Sequence, residues 1–146
     1  MSKNKNIVNR KAGFEYALDS DRIEAGIAFL GWEAKAVREG RADLNTAVVR
    51  ILRGEAVLLN AKIFPENAPA AVIDRPRKLL LKKAEILSLE TKTKAKKLTL
   101  VPIKFYTKGR LIKLEIKLGK TRRDFEKREA IKKRDINNRL RQGYDG

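Results

Sequence analysis

The sequence predicts a mainly β protein: a small antiparallel β-barrel with two or three short helices and a basic, conditionally helical C-terminal tail. Two stretches patterned as hairpins, Ala47 to Phe64 and Leu98 to Leu118, supply the barrel. A sharp change of composition after Leu118 supplies the tail. From Gly119 to Arg141 the chain reads GKTRRDFEKREAIKKRDINNRLR, whose only apolar residues are Phe125, Ala130, Ile131, Ile136 and Leu140. So few apolar groups do not order a segment in water, and an anionic surface has to do it. As a helix the tail sets acid before base four residues apart in Asp124/Arg128, Glu129/Lys133 and Asp135/Arg139. Thr121 and Asp124 have the spacing of a capping box. The expected division is a barrel domain over 1–118 and a tail over 119–146 that is disordered when free.

The elements follow in order. Met1 to Lys5 is polar and basic and reads as a flexible arm. Ile7 to Tyr16, with Phe14 and Tyr16 on alternate positions, reads as a short strand or a lead-in loop, closed by a turn at Asp19, Ser20 and Asp21. Ile23 to Leu30 alternates as a strand with Ala25, Ile27 and Phe29 on one face. Trp32 to Arg38 makes one or two helical turns ended by Gly40. In the first hairpin, Ala47 to Leu52 turns at Arg53-Gly54-Glu55 and returns as Ala56 to Phe64. A Pro- and Ala-rich loop over Pro65 to Ala71 leads to Arg75-Pro76, where a further element begins. Lys82 to Thr91 reads as a helix with Ile86 and Leu89 or Leu87 as its stripe, followed by an exposed basic loop, Lys92 to Lys97. The second hairpin is Leu98 to Tyr106, a turn at Lys108-Gly109-Arg110, and Leu111 to Leu118, in which Leu114, Ile116 and Leu118 oppose Lys113, Glu115 and Lys117.

Composition narrows the function. At 146 residues the chain fits one domain plus an appendage, and a hydrophobic fraction of 42% supports a core. Basic residues outnumber acidic ones 35 to 18, for a net charge of +17. A polyanion relieves that self-repulsion, with nucleic acid as the first partner class and an anionic membrane as the second. There is no Cys and no His, which removes disulfides, thiolate metal sites and the usual general base. No apolar run approaches the roughly 20 residues of a membrane span. The chain is expected to be cytosolic, to carry no metal or cofactor, and not to be an enzyme.

Gly119-Lys120-Thr121 resembles the end of a phosphate loop, but Leu114 stands where that pattern needs a glycine. Glu33 is a lone acid among apolar and basic residues, with no second carboxylate to make a catalytic pair. A helix dipole, Lys35 or Arg38 accounts for it. The cluster Arg75-Pro76-Arg77-Lys78, then Leu79-Leu80-Leu81 and Lys82-Lys83, anchors cations on a rigid element. With Asn9-Arg10-Lys11 and the tail it predicts a continuous electropositive face. Of the aromatics Phe14, Tyr16, Trp32, Phe105 and Tyr106, most read as core, so backbone and shape recognition of folded RNA is the expected mode.

These clusters, in this order, resemble the small protein B family, the SsrA-binding proteins of bacterial trans-translation. The resembling segments are NRKAGFEY (Asn9 to Tyr16), EAGIAFLGWEAKAVREGRADL (Glu24 to Leu44), RPRKLLLKKAEI (Arg75 to Ile86), LTLVPIKFYTKGRLIKLEI (Leu98 to Ile116) and FEKREAIKKRD (Phe125 to Asp135). The resemblance implies a barrel of oligonucleotide-binding type that grips the tRNA-like domain of transfer-messenger RNA and delivers that RNA to stalled ribosomes. Elongation factor Tu is implied as a further member of the delivery complex, and no membrane is involved. It implies RNA-contacting roles for Asn9, Arg10, Lys11, Glu33, Leu80 and Lys82; with Lys35 and with Arg75, Arg77 and Lys78 of the basic cluster, these are the expected RNA-binding residues. It also implies a tail, with Glu126, Lys127, Arg128, Lys132, Lys133 and Arg134, that turns helical in the empty messenger channel against small-subunit ribosomal RNA. The chain departs from the family pattern at Ala36, Thr46-Ala47-Val48, Lys82 and Lys120-Thr121, and in a shorter loop over Pro65 to Ile73. The alternative reading is a structural ribosomal or ribosome-assembly protein, which has the same charge signature.

Overall fold

The computed structural model describes residues 6–66 and 73–123 and, in the tail, Arg128, 131–134 and Ile136. Ten strands and three helices are defined among the residues up to Thr121: β1 (Ile7–Val8), α1 (Ala12–Glu15), β2 (Tyr16–Leu18), β3 (Ile23–Ile27), α2 (Gly31–Arg38), β4 (Ala42–Asp43), β5 (Val48–Leu52), β6 (Glu55–Leu59), β7 (Lys62–Ile63), β8 (Arg77–Leu80), α3 (Lys83–Lys96), β9 (Thr99–Lys108) and β10 (Leu111–Thr121). Six strands close on themselves in the order β9-β5-β6-β8-β3-β10, with β9 pairing β10 to complete the circuit. Every pairing is antiparallel. Closure removes the edges that a small sheet would otherwise expose. β1 is added outside β9 and β2 outside β10, while β4 and β7 pair separately. The expected mainly β barrel is therefore what forms.

Both hairpin turns fall where the glycines put them. Arg53 and Gly54 both have positive φ, 51° and 78°, as in the mirror-image turn that matches strand twist. Inside the barrel, Phe105, Leu58, Leu79, Leu114 and Ile116 are fully buried, and Phe29 meets Phe105 edge-on at 5.7 Å. Pro102 sits in the middle of β9 without disrupting it because the β9–β10 register shifts there, between Glu115 and Ile116.

Four expectations are corrected. Ile7 to Tyr16 is neither one strand nor a loop, because Asn9 breaks it. The Asn9 Nδ2 donates to the Pro102 carbonyl at 2.8 Å and its Oδ1 accepts from the Lys11 N–H at 3.2 Å, which ends β1 and starts α1. The return strand of the first hairpin stops at Leu59, since Asn60 takes φ of 62° and redirects Lys62–Ile63 to β4. The expected basic loop over Lys92 to Lys97 is mostly helix. α3 runs to Lys96 with Lys97 as a left-handed cap, and cations suit that end of a helix dipole. Its buried stripe is Ile86 and Leu89, while Leu87 is exposed.

The fourth correction concerns the barrel's end. β10 passes Leu118 and continues to Thr121, because β2 supplies a partner for Gly119, Lys120 and Thr121. Beyond it, the Arg122 N–H donates to the Glu15 carbonyl at 2.9 Å and its Nε to the Tyr16 carbonyl at 3.1 Å. Gly119 is required by closeness. A Cβ there would lie 3.0 Å from the Tyr16 Cβ and 3.1 Å from a Val101 methyl. Gly119→Ala should cost about 1–3 kcal/mol by overpacking, read as a lower urea midpoint with an unchanged m-value. The expected arm, Met1 to Lys5, and most of the loop after Glu66 lie outside the described residues.

Candidate RNA interface

The GWE segment opens α2, and Glu33 occupies the third helical position. From there its Oε1 accepts from the Leu30 N–H at 2.8 Å, the acidic half of a capping box. The same carboxylate faces two arginines of the RPR segment. Arg75 Nε donates to Oε2 at 3.0 Å and its Nη2 donates to Oε1, while Arg77 Nε donates to Oε2 at 2.8 Å. Arg77 in turn donates Nη1 to the Ala61 carbonyl at 2.7 Å and Nη2 to the Ile73 carbonyl at 2.9 Å. Glu33 and Arg77 have no exposed side-chain surface, and Arg75 keeps 29% of its own. Burial pushes the Glu33 carboxyl up, but the hydrogen bonds from Arg75, Leu30 and Arg77 outweigh it and hold it below the ordinary carboxylate value. Burial pulls the Arg77 guanidinium down, against the opposing pull of Glu33.

Of the expected RNA-binding residues, Asn9, Glu33 and Arg77 are buried at 6%, 0% and 0% exposure, and their hydrogen bonds hold the backbone and Arg75 in place. Arg10, Lys11, Lys35, Lys78, Leu80 and Lys82 are all exposed, as expected of contact residues. Lys78 shares its charge with Glu55 across 3.3 Å at the surface. In the tail, Arg128, Lys132, Lys133 and Arg134 are helical and exposed; Glu126 and Lys127 lie outside the described residues.

Register shows a surface that the sequence did not. Leu80 pairs Gly26, Gly26 pairs Lys113, and Lys113 pairs Tyr106. Paired residues share a face, so these four form one row across β8, β3, β10 and β9 on the outside of the barrel. Gly26 makes room in the row for Leu80, whose Cβ would lie 3.2 Å from a Cβ at that position and which is itself 55% exposed. The neighbouring row runs Glu24, Glu115, Lys104 and Val8. Between the rows, Tyr106 donates its hydroxyl to Glu24, Lys108 Nζ lies 3.4 Å from Glu24, and Lys104 Nζ stands 5.8 Å over the Tyr106 ring. The Tyr106 hydroxyl is raised well above the ordinary phenol value by burial and by the bond to Glu24. Glu24, accepting that bond, lies below its own ordinary value. Arg22, Glu24, Lys104, Tyr106, Lys108 and Glu115 line a recess of about 410 Å³. Alternation alone put Lys113 on the outer face; which strands flank it is a long-range fact that a single sequence does not carry.

A closed barrel whose two outer rows join Lys104 and Lys113 to an aromatic ring and an exposed leucine defines a small polyanion-binding barrel protein. Among the described residues no helix is long and apolar enough to cross a membrane, and no group of three or more His, Cys, Asp or Glu is placed to hold a metal. The family model described as SmpB protein matches residues 6–145. An SsrA-binding protein of Sulfurihydrogenibium sp. (strain YO3AOP1) is 42% identical, covering 100% of this chain and 97% of the relative. Another, from Gloeobacter violaceus (strain ATCC 29082 / PCC 7421), is 45% identical, covering 87% of this chain and 85% of the relative. A chain of the solved structure described as "tmRNA-SmpB: a journey to the center of the bacterial ribosome" is 37% identical with a TM-score of 0.66, covering 86% of this chain and 94% of that one. The protein belongs to the SmpB family, the SsrA-binding proteins.

Proposed function

We propose that this chain is a non-enzymatic RNA-binding adaptor that binds the tRNA-like domain of transfer-messenger RNA and brings it to stalled ribosomes. The Leu80–Gly26–Lys113–Tyr106 row is the observation that supports a defined RNA surface over a diffuse basic one. Lys104, Lys108 and Lys113 neutralise phosphates there. Gly26 lets the Leu80 side chain lie down against the row, and Leu80 and Tyr106 offer apolar contact to the RNA. Glu24, kept ionised beside Tyr106, accepts from a ribose hydroxyl or a base amino group. Glu33 and Arg77 act beneath this surface by fixing Arg75 and the chain that leads into β8.

The tail takes the second half of the task. Arg128, Lys132, Lys133 and Arg134 are exposed along helical backbone, a form suited to lie along ribosomal RNA in an empty messenger channel. Two measurements test the reading. The purified protein should prefer the tRNA-like fragment of transfer-messenger RNA to an elongator tRNA of equal length at physiological salt. Equal, steeply salt-dependent binding to both would make the chain a generic RNA binder and favour a structural ribosomal role. Charge reversal at Lys127 and Arg128 should spare fragment affinity yet abolish tagging; equal loss of both would end the division of labour.

A further inference from the structure

A second recess lies at the other end of β9. The C-terminal half of α3, strand β5, the first residues of β9 and Tyr16 of β2 enclose a groove of about 650 Å³. It begins at Leu100, six residues along β9 from Tyr106, or about 20 Å at strand spacing, so it is distinct from the row described above. Arg50 and Arg53 line it, both exposed and without an ion pair among the described residues. Lys94 adds a third cation whose contact with Glu90, at 3.5 Å and mostly in solvent, holds it weakly. Glu90 is the only carboxylate among the residues that line the groove.

Two further features select the ligand. Tyr16 is half-buried, and its backbone is fixed by pairing with Thr121 and by the Arg122 Nε on its carbonyl. An aromatic side chain on a fixed backbone, lining the same groove as two arginines, is a platform on which an unstacked base settles, while a duplex offers only phosphates there. β5 is paired to β6 along its whole length and to β9 where Val49 faces Leu100. The groove's arginines and ring, which suit an unpaired nucleotide, set the ligand, and a peptide is the competitor to test against it. We propose that this groove is a second RNA site, taking one or two unpaired nucleotides with a base on Tyr16 and phosphates on Arg50 and Arg53. Tyr16 pairs Thr121, the last residue of β10, so the groove lies beside the point at which that strand ends. The assignment does not depend on which RNA the outer row binds.

The test titrates the full chain with a labelled uridine hexamer by anisotropy, alongside the tRNA-like fragment. Tyr16→Leu should weaken the hexamer about tenfold. Arg50→Glu with Arg53→Glu should weaken it more, and both variants should leave the fragment within about twofold. Tyr16→Phe, which keeps the ring, should retain hexamer affinity and separates stacking from any loss of fold. Lys104→Glu with Lys113→Glu should do the converse, weakening the fragment and sparing the hexamer. The proposal is overturned if hexamer binding ignores Tyr16→Leu, if both charge-reversed pairs weaken it equally, or if a hexaglutamate peptide competes as well as the hexamer.

Discussion

Glu33→Ala should lower the free energy of unfolding by about 3–5 kcal/mol, the cost of leaving a buried charge without its partner. The stranded group is Arg77, which has no exposed side-chain surface and whose Nε gives its hydrogen bond to Glu33. Its bonds to the carbonyls of Ala61 and Ile73 satisfy donors but supply no net charge. Arg75→Ala should cost much less, because Arg75 is partly solvated and Glu33 keeps both Arg77 and the Leu30 N–H. Urea denaturation of the two variants measures the difference, and near-equal losses would refute this ordering. The same carboxylate makes stability depend on acid. Its folded pKa lies below the ordinary value of 4.5, so its contribution is complete above that pH and is lost as pH falls through the lower folded value. Glu33→Gln should flatten the urea midpoint between about pH 6 and pH 3 relative to the parent.

Removing Lys104 and Lys113 together should be the most damaging change to fragment binding that leaves the fold intact. Both sit on exposed or half-exposed positions of the outer rows, and neither is buried in the core. Each phosphate contact contributes about 0.7–0.9 to the slope of log affinity against log salt, if the DNA-derived values carry over. The double alanine variant should therefore lose about 1.4–1.8 from that slope, and its deficit in affinity should shrink as salt rises. An unchanged slope with lower affinity would mean that the lysines act on shape and not on phosphates. Leu80→Ala makes the contrast, since it should weaken binding with little change in slope.

The fold was legible where the pattern is local. Alternation located β5, β9 and β10, glycine located both hairpin turns, and the GWE segment announced α2. Asn9 and Asn60 were not legible, because their effect depends on a carbonyl 93 residues away in one case and on an isolated left-handed backbone in the other. The site divides in the same way. Lys78, Leu80 and Lys82 were found as a basic cluster around an apolar run, and they are exposed. Glu33 and Arg77 were found too, but a charged residue in a sequence does not reveal that its partner lies 44 positions on and that both are enclosed. Lys104, Tyr106 and Lys113 were each visible only as members of a hairpin. They become a surface through β3 and β8, which the chain brings beside them from more than 20 residues away.

β10 carries Lys113 in the outer row and ends at Thr121 where the tail departs. Those eight residues span about 26 Å at strand spacing. The strand is bonded to β9 on one side and to β3 and then β2 on the other, so this interval does not stretch or fold. It is a gauge block: whatever the barrel holds and whatever the tail reaches are kept at a constant stand-off, independent of the tail's own conformation. Two residues inserted after Arg123 only lengthen the reach, whereas two inserted into β10 reset the stand-off itself by about 7 Å.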